Sequence, residues 1–101
     1  YMVKHVILWK LKEELTAEEK ENVKAGIKEG LEGLAGKVPG LVDVKVNING
    51  LPTSTVDVML DTTFTDADAL KAYSTNPLHV AVADGKVRPY TAVRSCLDYE
   101  V

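Results

Sequence analysis

From Val3 to Leu11 apolar and polar side chains alternate, but both sets of positions carry apolar residues. His5, Ile7, Trp9 and Leu11 make up one set, and Lys4, Val6, Leu8 and Lys10 the other. The run is rich in β-branched and aromatic residues and reads as a strand. Strand side chains point alternately to opposite faces, so the middle of this strand is apolar on both. From Thr16 the period becomes helical: Val23, Ile27, Leu31 and Leu34 form one stripe. Thr16 and Glu19 stand at capping-box spacing, and acidic residues in the first turn suit the helix dipole. Gly26, Gly30 and Gly33 run beside the stripe, each costing about 1 kcal/mol of helix propensity relative to Ala. They imply either close packing of helix on sheet or space kept for a ligand. Gly36 and Pro39-Gly40 end this helix and turn the chain.

Leu41 to Ile48 alternates cleanly, with Val42, Val44, Val46 and Ile48 on one face and Asp43, Lys45 and Asn47 on the other. Asn49-Gly50 and Pro52 mark a turn. Val56 to Phe64 resumes the alternation, which gives a hairpin with a loop of more than two residues. Thr65 and Asp68 are spaced to cap a second helix bearing Leu70 and Tyr73. Asn76-Pro77 interrupts that helix and starts a short one, with Asn as cap and Pro at the first helical position. The short piece runs to about Asp84, Gly85 stops it, and Tyr90 to Tyr99 is the last strand. The order is βαββαβ, an α+β arrangement of the ferredoxin-like kind: a four-stranded antiparallel sheet with its helices on one face. The other face would then be open although its strands are apolar there. A bare apolar sheet is not expected on a monomer; two sheets packed face to face in a homodimer, closing an α/β barrel, would cover it.

Composition narrows the function classes. The 101 residues make one domain, read as Met2 to Val101, with Met2 as the natural start. Hydrophobic residues at 46% and charged residues at 27% are ordinary for a globular chain. A net charge of −3 and a pI near 5.3 argue against nucleic acid as a partner. No apolar run approaches membrane-spanning length and no leader pattern precedes the first strand, so neither membrane nor export is expected and cytoplasm is the default. Cys96 is the one cysteine; it cannot form an internal disulfide, and beside Leu97 it reads as a small buried hydrophobe. Two histidines and scattered carboxylates give no zinc spacing, so neither a metal nor another cofactor is expected.

Several segments resemble one known family: Val3 to Lys12 followed by Thr16-Ala17-Glu18, Val38 to Leu41, Tyr73 to Val80, and Leu97-Asp98-Tyr99. In this order, over nearly the whole chain, they are similar to the stress-responsive A/B barrel (Dabb) domains. The resemblance implies a dimeric α/β barrel of two ferredoxin-like protomers. The family has no single function. It includes plant stress-induced proteins and a plant cyclase that closes a linear polyketide to olivetolic acid by aldol condensation, without cofactor. Its catalytic groups match His5, Tyr73, His79 and Asp98 by motif position. Ile27 stands where that cyclase has a tyrosine, and Val23 and Lys24 where it has bulky aromatics. The chemical groups are thus shared and the walls that select a substrate are not.

On their own chemistry, these residues suit proton abstraction beside a carbonyl. His79 falls in the first turn of the short helix, where the partial positive charge disfavours imidazolium and leaves a neutral base near pH 7. Asp98 would hold its opposite ring nitrogen, or instead pair with Arg88 or Arg94. Tyr73 would donate to the carbonyl oxygen as it becomes an enolate. His5, on the strand face with Ile7 and Trp9, would position a polar end of the ligand. The expected ligand is a small apolar carbonyl or phenolic compound, bound among Ile7, Trp9, Val23 and Ile27. Each group also has an ordinary structural role open to it, and a non-catalytic stress or structural homo-oligomer is the alternative.

Overall fold

The computed structural model describes residues 1–101. Strand β1 (Val3–Leu11) leads into helix α1 (Ala17–Glu32), then strands β2 (Leu41–Asn47) and β3 (Val58–Phe64). Helices α2 (Ala67–Thr75) and α3 (Pro77–Val82) follow, then a π-helical turn at Ala83–Val87, a 3-10 turn at Arg88–Tyr90, and strand β4 (Thr91–Glu100). All strand pairs are antiparallel, in the order β2-β3-β1-β4. This is the expected four-stranded ferredoxin-like sheet with three helices. No helix is long and apolar enough to cross a membrane.

The core lies between the helices and one sheet face. Val3, Ile7, Trp9 and Leu11 of β1 and Val58, Leu60 and Phe64 of β3 pack there with Ile27, Leu31, Leu34 and Tyr73. Thr62 is buried among them, its hydroxyl donating to the His5 carbonyl at 2.6 Å. The opposite sheet face carries Val6, Leu8 and Met59, and on β4 Val93, Leu97 and Tyr99, the last three 54%, 64% and 42% exposed. Lys4 and Asp61 pair on that face at 2.7 Å. The two-sided apolar pattern of β1 therefore corresponds to one covered face and one open one.

Local chemistry explains the element ends, with four departures from expectation. Thr16 and Glu19 form the full capping box, each side chain bonded to the other's backbone, and Asn76 caps α3 with Pro77 following it. Helix α2, however, is capped by Asp66, whose carboxylate accepts from the Ala69 N–H at 2.7 Å, and not by Thr65 with Asp68. Gly85 does not stop the helical path. The chain widens into the π turn and continues to Tyr90, because a helix can absorb an extra residue as a π bulge rather than end. Val42 leaves the core face, since the β2–β3 register shifts between Leu41 and Asp43; a bulge turns the extra residue outward. Cys96 is exposed: β4 is an edge strand, and the helices do not extend over that part of it.

Two glycines mark close approaches. At Gly30 an added Cβ would meet Val82 Cγ1 at 2.8 Å, so this residue admits α3 against α1. The packing is helix on helix, not helix on sheet. Gly40 has φ +80° and its Cβ would lie 2.4 Å from Ala69 Cβ. Backbone strain of roughly 1–2 kcal/mol then adds to overpacking. Gly40→Ala is expected to cost about 2 kcal/mol or more, read as a lower urea midpoint with unchanged slope. A midpoint within error of the native one would show that the β2 entry can shift freely.

Candidate functional site

Helices α2 and α3, the turns after them, β1 and the start of β4 enclose a cleft of about 180 Å³. His5, Ile7 and Trp9 enter from β1, Tyr73 and Ser74 from α2, His79 from α3, Arg88 from the 3-10 turn, and Arg94 from β4. Strand alternation places the three β1 residues on the same face. The helix break at Asn76-Pro77 starts α3 afresh and carries His79 over Tyr73. Their ring centroids lie 4.0 Å apart, inclined by 36°. Phe64 and His5 pack edge-on against Tyr73, at 5.0 and 6.3 Å between centroids.

The polar atoms here are under-satisfied. The Tyr73 hydroxyl is buried without a hydrogen-bond partner in the chain, and so is His79 Nδ1. Burial pushes the Tyr73 hydroxyl up to about 12, so it stays protonated and available as a donor. Burial also lowers the His79 pKa from the ordinary imidazole value of 6.5, helped by Arg88, His5 and Arg94. A contact with the Ser74 backbone opposes this shift. His79 is therefore a neutral imidazole at pH 7. A buried polar group without a partner costs about 1–3 kcal/mol, and a catalytic role is one of the explanations for keeping one.

Asp98 does not reach His79 as its orienting partner. Its carboxylate bonds His5 Nδ1 directly, because the β1–β4 register sets His5 opposite Asp98. A carboxylate only accepts, so Nδ1 carries the proton and Nε2 is the open nitrogen of His5. Asp98 makes no pair with Arg88 or Arg94 either; Arg88 bonds Asp84 one turn earlier. Val23 and Ile27 lie away from this cleft. Ile27 is fully buried in the core. Val23 lines a separate, more open groove of about 320 Å³ with Leu15, Asn22, Gly26 and Tyr90. One turn separates these two residues on α1, and among the strands α1 packs chiefly against β2, away from the cleft. The sequence reading did not place Arg94 in the cleft; its position opposite Trp9 in the strand register is the only signal, and it depends on pairing.

The fold recurs among solved structures. A dimeric protein of unknown function from Bacteroides fragilis is 35% identical, covering 99% of this chain and 96% of its own, with a TM-score of 0.93. A Dabb family protein from Mesorhizobium loti is 18% identical, with coverage of 99% and 96% and a TM-score of 0.75. A hydroxynitrile lyase from Passiflora edulis is 16% identical, with coverage of 97% and 91% and a TM-score of 0.71. No curated protein gives a match. With its sheet order, its helix-covered face and its fit to the stress-responsive A/B barrel domain from residue 3 to residue 101, the chain belongs to that family.

Proposed function

We propose that the protein is a homodimeric small-molecule-binding protein whose cleft promotes proton abstraction next to a carbonyl. The observation that carries this reading is the pair of buried, partnerless polar atoms on Tyr73 and His79, stacked at 4.0 Å beside a cleft floored by Ile7 and Trp9. His79, neutral, takes the proton from carbon. The electron pair moves onto the carbonyl oxygen, which accepts a hydrogen bond from the Tyr73 hydroxyl. The resulting enolate attacks a second carbonyl or regains the proton from His79. His5, held by Asp98, fixes the polar end of the ligand, and the cleft needs no metal or organic cofactor for this step. A lyase on the same scaffold, the Passiflora edulis protein, is consistent with such chemistry, at an identity that speaks for the fold alone. The open sheet face with Val93, Leu97 and Tyr99 is the surface for the second copy, and the Bacteroides fragilis relative is itself dimeric.

A thermal-shift screen of polyketide-like phenols, β-keto acids and small lactones tests the site, run on the native protein and on His79→Ala. A compound that raises the native melting temperature, and acts differently on the variant, places binding at His79. Identical responses, or none, would favour the non-catalytic homo-oligomer.

A further inference from the structure

Strand pairing gathers a second set of chemical groups beside the cleft. Cys96 and Asp98 are two apart on β4 and share one face. Their cross-strand partners on β1 are Ile7 and His5. The His5 ring nitrogen Nδ1, the Cys96 sulfur and an Asp98 oxygen all lie within 4.8 Å of one another. The sulfur is 3.7 Å from His5 Nδ1 and 3.4 Å from Asp98 Oδ1. Zinc bonds of about 2.0–2.3 Å at tetrahedral angles hold such donors roughly 3.3–3.7 Å apart. Two of the three separations are already of that size. The third, between His5 and Asp98, is a direct hydrogen bond that must part. Asp98 has the freedom to do so, with its side chain 46% exposed on an edge strand.

The geometry points to a divalent zinc-class metal site formed by His5 Nδ1, the Cys96 thiolate and an Asp98 oxygen. One thiolate, one imidazole and one carboxylate form a borderline-soft donor set, which favours zinc over magnesium or calcium. Three protein ligands leave a fourth position for water or a small ligand. Binding releases one proton, that of the thiol, to solvent. The imidazole keeps its own proton by carrying it on Nε2 in place of Nδ1. Cys96 lies on the helix-side face of β4, opposite in parity to Leu97, so a second copy on the open sheet face leaves it accessible. The site shares His5 and Asp98 with the proton-transfer reading and adds Cys96, which does not line the cleft; His79 and Tyr73 take no part in it.

Titration of the metal-free full-length protein with Zn²⁺ in a calorimeter, and with Co²⁺ in a spectrophotometer, tests the assignment. The native protein is expected to take one ion per chain, with a near-ultraviolet thiolate-to-cobalt band. Cys96→Ser, at an exposed position, should fold normally and lose the band. Losing a mere supporting partner costs roughly 10–100-fold in affinity, so losing the thiolate should weaken Zn²⁺ binding at least as much. Asp98→Asn should weaken it while keeping the band. No uptake by the native protein, or uptake by Cys96→Ser of unchanged affinity, would overturn the site. The metal-free protein's comparison with His79→Ala judges the proton-transfer reading separately, because neither Cys96 nor a metal enters it.

Discussion

Replacing His79 by Gln is expected to slow exchange of the α-proton of a β-keto lactone for solvent deuterium by roughly 10²–10⁴-fold, the usual contribution of a positioned general base. NMR of the exchanging carbon position reads this directly. The pH dependence identifies the base. Only the unprotonated ring accepts a proton, and the His79 pKa is lowered from 6.5, chiefly by burial. The native rate should therefore be flat from about pH 6.5 upward and fall only at more acidic pH, and the variant's residual rate should lack that limb. Stability carries the same sign. A depressed imidazole pKa means that the unfolded chain binds the proton more readily, so its contribution is intact above 6.5 and is lost as pH falls through the folded-state value. A variant that exchanges protons as fast as the native protein would remove His79 from the chemistry and leave His5, with its carboxylate partner, as the base to test next.

Replacing Tyr73 by Phe should move activity and stability in opposite directions. The hydroxyl is buried without a partner, and a stranded hydroxyl costs about 1–3 kcal/mol. Phe keeps the ring contacts with Phe64 and His79 and removes the stranded group. The variant should gain about 1 kcal/mol, or about 4–8 °C in melting temperature for a domain of this size. Proton exchange should fall by roughly 10²–10³-fold, as when one oxyanion donor is deleted. Loss of both stability and activity would mean that the hydroxyl supports the fold, and its assigned role would fail.

Much of the architecture was legible along the chain, because it rests on local rules. The capping box at Thr16 and Glu19, the helix restart at Asn76-Pro77 and the period-two runs each involve residues within a few positions, so spacing alone reports them. The misread ends were local too, but evenly contested. Thr65, Asp66 and Asp68 all offer capping oxygens, and the chain's path into α2 selected Asp66. Gly85 has the flexibility to end a helix, yet Ala83 and Val87 on either side are buried, and their burial carries the chain on through a π turn.

The site was legible as a set of residue types and not as a set of partners. Spacing shows that His79 opens a helix and that His5 shares a strand face with Ile7 and Trp9. It does not show which histidine Asp98 meets, since His5 and Asp98 are 93 positions apart and a one-residue slip in the β1–β4 register would turn every β4 side chain to the other face. The same register set Cys96 opposite Ile7 on the helix side of β4, and Cys96 is exposed there because the helices do not extend over that part of the edge strand. The sequence by itself determined the element order, the apolar stripes and the chemical groups, because these follow from side-chain type and short-range spacing. Only the tertiary structure decided that Val23 and Ile27 stand apart from the cleft, that Asp98 serves His5, and that Tyr73 and His79 stack, because these depend on strand register and on how helices seat across the sheet.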